Sequence, residues 1–185
     1  MIYVIDHEDS FTYNLVHLLE GFAQTYVSNY YDINWRQLEK SKIIIFSPGP
    51  GNPSNYPETQ KVYNKYKGKK KIIGICLGFQ QILYAENAHI VPQKKIYHGY
   101  QSRVKALKES TLFKPNKVFL AGRYHSLKLK EPFNSLSLKI TMRCVESNVA
   151  MAIEDTINNV YGFQFHPDSF LTVDGKFLIQ KVLQF

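Results

Sequence analysis

Cysteine is almost missing from this sequence: Cys76 and Cys144 are the only two in 185 residues. That is too few for a disulfide framework, and neither sits in a CxxC or Cys/His spacing that would hold a metal. Reduced thiols, one of them free for chemistry, are what remains, and no metal site is expected. Long apolar runs are missing too. No stretch approaches the roughly 18 to 20 residues needed to cross a bilayer. The opening segment MIYVIDHEDSF carries acids where a signal peptide would have its apolar core. These absences point to a soluble, cytoplasmic protein with no membrane partner. Acids are in deficit, with 15 Asp and Glu against 23 Lys and Arg and a net charge of +8. A nucleic-acid binder needs its basic residues clustered on one face, ideally interleaved with aromatics. The densest run here, Lys67-Gly68-Lys69-Lys70-Lys71, stands just before an apolar strand and reads as a solvated loop. Its competing use is a basic patch facing an acidic partner subunit. No nucleic-acid partner is expected. The 13 Tyr and 12 Phe read as core and interface surface, not as a stacking platform for bases.

What is present is an alternation of short apolar runs and amphipathic segments. Met1–Ile5, Thr25–Ser28, Ile43–Phe46 and Ile72–Ile75 read as strands. Between them, Phe11–Phe22, Pro57–Tyr66 and Gly78–Glu86 read as helices. Strands alternating with helices argue for a parallel sheet covered on both faces. The second half changes character. Gln101–Ala106, Lys117–Leu120, Leu138–Arg143, Val149–Ile153 and Val160–Phe165 read as strands joined by turns, and Asp174–Leu183 as a closing helix. No repeat, low-complexity tract or linker interrupts the chain. The expected fold is therefore one α/β domain over residues 1–185, an open, mostly parallel sheet flanked by helices with a small antiparallel extension.

Three segments carry chemistry. In Gly74-Ile75-Cys76-Leu77-Gly78 two glycines flank a potential nucleophile at a strand-to-helix junction. Such an elbow holds the nucleophile in a tight turn, and small neighbours let substrate approach. The following helix would aim its N-terminus at the sulfur and favour the thiolate, and the Leu77 N–H could donate to an oxyanion. Alone, the segment reads equally well as a buried structural cysteine. Ser47-Pro48-Gly49-Pro50-Gly51 follows a strand expected beside the Cys76 strand, and ligands of open α/β sheets bind at the carboxyl ends of strands. Alone it reads as a plain turn; it lacks the GK[ST] of a phosphate loop. Phe163-Gln164-Phe165-His166-Pro167-Asp168-Ser169 ends a strand in histidine with an acid two residues on. In extended chain these two share a side, so Asp168 could fix the His166 tautomer while the other ring nitrogen faces a thiol; alone, the segment reads as a turn.

Together the three segments resemble the class I, triad-type glutamine amidotransferases, whose fold is flavodoxin-like. Within them the chain is most similar to the amidotransferase components of anthranilate synthase and aminodeoxychorismate synthase. The segment Asp9-Ser10-Phe11-Thr12-Tyr13-Asn14-Leu15 resembles the chorismate-linked branch, and His98-Gly99 and Arg123-Tyr124-His125-Ser126-Leu127 are further landmarks. The resemblance implies that Cys76 attacks the glutamine amide, His166 activates the thiol and protonates departing ammonia, and Asp168 orients His166. It implies an oxyanion site of Gly51 and Leu77 backbone N–H groups. It implies glutamine contacts from Gly49, Pro50, Gly51, Gln80, Ser126 and Leu127. No cofactor is implied in this subunit. The implied partner is a chorismate-aminating component I, itself expected to need Mg2+, that receives ammonia through a channel.

Some positions depart from the pattern. Asp168 stands where Glu is usual, Phe79 where His is usual, and Tyr100 where Lys is usual after His-Gly; Tyr84–His89 lacks the common Gly-Gly. Two alternatives stay open: another class I amidotransferase or free-standing γ-glutamyl hydrolase, and a catalytically weak regulatory homologue. Among the other histidines, His7, His17 and His89 read as surface or packing residues and His125 as structural, while Cys144 reads as inert.

Overall fold

The computed structural model describes residues 1–184. The chain runs β1 (Ile2–Asp6), α1 (Thr12–Glu20), β2 (Thr25–Asn29), α2 (Trp35–Lys40), β3 (Ile43–Phe46), α3 (Pro57–Tyr66), β4 (Lys71–Ile75) and α4 (Leu77–Ala85). It continues β5 (Ile90–Pro92), β6 (Tyr100–Ala106), β7 (Val118–Arg123), β8 (Leu127–Leu129), β9 (Lys139–Cys144), β10 (Ala150–Asp155), β11 (Val160–Phe163) and α5 (Gly175–Gln184). All five residues of β1 and of β4 are buried. Continuous apolar runs of this kind are what a parallel sheet covered on both faces requires. Alternation along β1 divides the core. Ile2 and Val4 pack with Leu15 and Leu19 of α1 and Leu178 and Val182 of α5. Tyr3 and Ile5 pack on the opposite face with Leu38 of α2, Val62 and Tyr63 of α3 and Ile82 and Leu83 of α4.

One nine-stranded sheet has the order β2-β1-β3-β4-β11-β10-β9-β6-β7. From β2 to β11 every neighbour is parallel. From β11 onward every neighbour is antiparallel, so the extension continues the same sheet. The order of the parallel half matches the doubly-wound arrangement in which ligands sit beyond the strands' carboxyl ends. Register brings those ends level: Ile5 pairs Phe46, Phe46 pairs Gly74, and Ile75 pairs Phe163. The loops after β1, β3, β4 and β11 therefore open on one edge. These are the loops that carry Asp9, Gly49–Gly51, Cys76 and His166.

Three features differ from the sequence expectation. Helix α2 and the two-stranded β5–β8 ribbon were not expected. The lysine run is not simply solvated: Lys70 Nζ donates to Glu39 O and Ser41 O, and Lys71 is buried in β4 with Nζ donating to Val182 O. These bonds tie β4 to the end of α2 and to the C-terminal carbonyls of α5, which favour a cation. Among the described residues no helix is long and apolar enough to cross a membrane.

Candidate active site

Strand β4 runs straight into Cys76, which caps α4 with φ 53° and ψ −100°. A non-glycine residue in such a conformation carries strain of about 1–3 kcal/mol, held only when its surroundings fix it. They do. Cys76 N donates to Phe163 O at 2.8 Å, extending the β4–β11 ladder, and Cys76 O accepts from Gln80 N at 3.2 Å. The flanking glycines let strand and helix approach. A Cβ on Gly74 would lie 2.3 Å from Gly78 O, and one on Gly78 would lie 2.1 Å from Phe46 O. The thiol is 7% exposed at the floor of a cleft of about 200 Å³. Leu77 is the first residue of α4, so its N–H has no intrahelical partner and is free to meet an oxyanion.

His166 follows β11 and forms an isolated bridge with Gly122, its N–H donating to Gly122 O at 3.0 Å. The ring is buried against Phe11 and Tyr124, at centroid distances of 5.0 and 4.9 Å. Asp168 does not reach it along extended chain. The backbone turns here, with Ser169 N donating to His166 O at 3.2 Å. That turn folds the Asp168 carboxylate back to 3.6 Å from His166 Nδ1. This is an ion-pair distance, too long for a hydrogen bond. Both Asp168 oxygens and His166 Nδ1 are buried without a hydrogen-bond partner. Burial pushes the imidazole toward its neutral form. The neighbouring Cys76 sulfur and the Asp168 carboxylate outweigh it and raise His166 to about 10. Geometry and charge therefore favour the protonated ring beside the sulfur.

The loop after β3 supplies the cleft's rim. Gly49 is wedged, since a Cβ there would lie 2.5 Å from both His7 Cβ and Leu77 Cδ2, and Gly51 has φ +78°. Tyr56 Oη donates to Pro50 O at 2.7 Å and closes the loop on itself. Gly49, Pro50, Gly51, Cys76, Leu77, Gln80, Ser126 and Leu127 all line the cleft, with Asp9, Tyr124 and His125 beside them. A larger open hollow, about 710 Å³ along Tyr26–Trp35, contains no cysteine or histidine.

The family model for class I glutamine amidotransferases matches residues 3–184. The chain belongs to that family. Two similar relatives are each named anthranilate synthase component 2. The protein of Lactococcus lactis is 37% identical over 97% of this chain and 92% of its own length. That of Pyropia yezoensis is 38% identical, with both chains fully covered. A glutamine amidotransferase from Thermotoga maritima superposes with a TM-score of 0.75 at 14% identity, covering 99% of this chain and 96% of that one, which speaks to fold alone.

In this class I amidotransferase the substrate-contact residues expected from sequence converge on one cleft, with His166 and Asp168 behind it. Sequence reasoning missed four supports. His7 is fully buried beneath the β3 loop, with Nδ1 at 3.2 Å from Ser47 Oγ and Nε2 at 2.9 Å from Thr59 Oγ1. Burial drives it down to about 3, so it is neutral. Arg123 is fully buried, its guanidinium stacked 3.6 Å from the Tyr97 ring centre and its Nε donating to His125 Nε2. His125 in turn donates from Nδ1 to Leu127 O at 2.8 Å, and burial beside Arg123 drives it down to about 3. That neutral histidine braces the Ser126–Leu127 wall and is no second base. Asp9 is the one carboxylate lining the cleft, and Gln164 is the fourth support. Asp9, Arg123 and Gln164 lie inside segments the sequence singled out, but nothing in those segments gave them a supporting role. The partners of His7 and Gln164 lie tens of residues away. Cys144 is buried at the end of β9, with Arg123 Nη1 donating to its sulfur at 3.4 Å. His17 and His89 are exposed.

Proposed function

We propose that this chain is the glutaminase subunit of a chorismate-aminating synthase, working through Cys76, His166 and Asp168. The Cys76 thiolate attacks the side-chain amide carbon of glutamine. The N–H groups of Gly51 and Leu77 take the charge on the carbonyl oxygen. The His166 imidazolium gives its proton to the departing nitrogen, and ammonia leaves a γ-glutamyl thioester. His166, now neutral, takes a proton from water as it attacks the thioester, and collapse releases glutamate and restores the Cys76 thiolate beside the reprotonated imidazole. Asp168 steadies the imidazolium and is not itself protonated. Gly49, Pro50, Gln80, Ser126 and Leu127 hold the amino-acid end. The observation carrying this reading is the strained Cys76 elbow on a cleft lined by the loops after β3 and β4, with the Asp168 carboxylate 3.6 Å from His166 Nδ1. The half-reaction needs no metal or organic cofactor from this chain.

The relatives' shared name supports a component I partner and anthranilate as product; aminodeoxychorismate is kept as the second product because the Asp9–Leu15 segment resembles both branches. The decisive experiment pairs the chain with its chorismate-using partner. Cys76→Ser is expected to abolish product formation from glutamine and to spare formation from ammonia. An electrophilic glutamine analogue is expected to label Cys76 and not Cys144. Undiminished glutamine-dependent synthesis in the Ser variant would sink the reading, and the product identifies the synthase.

A further inference from the structure

Gln164 lies between β11 and His166 with its side chain fully buried, and the steps above do not use it. Its amide is held in one orientation. Nε2 donates to Cys76 O at 3.4 Å, and a carbonyl oxygen only accepts. Oε1 must then face the other way, where it accepts from Gln80 Nε2 at 3.1 Å. That bond turns the Gln80 nitrogen toward Gln164 and sets the amide oxygen on the other side, an acceptor for the cleft that Gln80 lines. The same Gln164 nitrogen stands 3.9 Å from Cys76 Sγ. Because Cys76 O also accepts the helical bond from Gln80 N, the nucleophile, Gln80 and Gln164 form a closed ring.

We infer that Gln164 is a positioning residue with two tasks: it turns the Gln80 amide so that an acceptor meets the α-ammonium of glutamine, and it keeps an N–H donor toward the Cys76 sulfur. The first task rests on the glutaminase reading; the second does not. Asp9 places a second acceptor on the same cleft. One of its carboxylate oxygens accepts from Phe11 N at 2.8 Å, which fixes the group at the turn after β1. A cleft whose charged lining is a carboxylate, and whose histidine is neutral, suits a substrate end carrying a positive charge.

Two variants separate the tasks. Gln164→Met keeps the length and removes both bonds, leaving Gln80 free to flip. In the partner complex it is expected to narrow the preference for glutamine over its des-amino analogue by roughly ten- to a hundred-fold, the value of a hydrogen bond to a charged group. Gln164→Glu still accepts from Gln80 Nε2 but sets a carboxylate against the sulfur. It is expected to keep the preference and to move iodoacetamide alkylation of Cys76 to higher pH, lowering the rate at pH 7 on the order of tenfold. Cys76→Ser supplies the background from Cys144. An unchanged preference in Gln164→Met overturns the first task, and an alkylation curve in Gln164→Glu that superimposes on the wild type overturns the second. A wild-type complex without glutaminase activity would fail the functional reading instead, while the alkylation curve would still report on the sulfur.

Discussion

Asp168 is where a single methylene group matters most. Its carboxylate is buried without a hydrogen-bond donor and stops 3.6 Å short of His166 Nδ1. A buried carboxylate in that state is costly unless the neighbouring imidazole is charged, which ties its role to the imidazolium. Asp168→Asn is expected to lower kcat by on the order of 10 to 10³-fold. That is less than the roughly 10⁴ cost of the same change in a serine triad, because a thiol is the better nucleophile. KM should move little, since Asp168 does not line the cleft. Asp168→Glu lengthens the arm by one carbon and should close the gap, giving a kcat at or above wild type. Steady-state glutaminase kinetics in the partner complex check both, and a wild-type kcat in Asp168→Asn would leave Asp168 as a turn residue only. The sequence made the pair legible through its spacing, but set the triad, argued on extended chain, against a turn. The structure holds both: residues 166–169 turn, bent by Pro167 and by the Thr172 hydroxyl donating to His166 O, and the turn brings the acid back to the histidine.

The decisive element is the β4–α4 elbow, whose close approach only glycine permits. Gly78→Ala would push a Cβ to 2.1 Å from Phe46 O, a backbone atom of β3 that cannot swing aside. Overpacking of this kind costs about 1–3 kcal/mol or more. For a chain of this size that lowers Tm by roughly 2–4 °C per kcal/mol. Activity should fall further than stability, because α4 carries the Leu77 N–H and β3 carries the loop that faces it. Gly21→Ala is the control. Gly21 has φ −63°, and its Cβ would meet Leu18 O at an ordinary 3.4 Å. If Gly78→Ala melts and turns over like Gly21→Ala, the elbow is not tight. This element was readable from sequence because its apolar run, cysteine and glycines are contiguous. The same holds for β3 and α3, whose residues 43–46 and 57–66 match the expectation. Helix α2 was not readable, since of its six residues only Leu38 is buried and no apolar face repeats. Nor was the β5–β8 ribbon, in which three-residue strands pair Ile90 with Leu129 across the chain.

At the scale of the whole molecule, the buried histidines set how stability responds to pH, in two opposite directions. His7 and His125 are held down to about 3, while an unfolded histidine titrates near 6.5. Between those values the unfolded chain binds protons that the folded chain refuses, so stability falls as pH drops from about 6.5 toward 3. Glu131 and Glu146, held below the usual carboxylate range by Arg143 and Arg103, add to the loss at the acid end. His166 works the other way. Raised to about 10, its contribution is fully present below 6.5 and is lost as pH rises through 10. Lys71, pushed down by burial, opposes that loss only at the alkaline extreme. Tm should therefore decline below about 6.5 and again as pH rises toward 10. Each limb has its own variant. His7→Gln removes one refused proton and should flatten the acid limb while leaving the alkaline limb alone. Cys76→Ser removes the sulfur that, after burial, acts most strongly on His166, and should flatten the alkaline limb while leaving the acid limb alone. Thermal melts of the wild type and both variants across pH 4 to 10, at constant ionic strength so that the net charge of +8 is equally screened, make the comparison. An alkaline limb that stays equally steep in Cys76→Ser would mean that His166 is not paired with a charged sulfur, and the proton it must give to the departing ammonia would need another source.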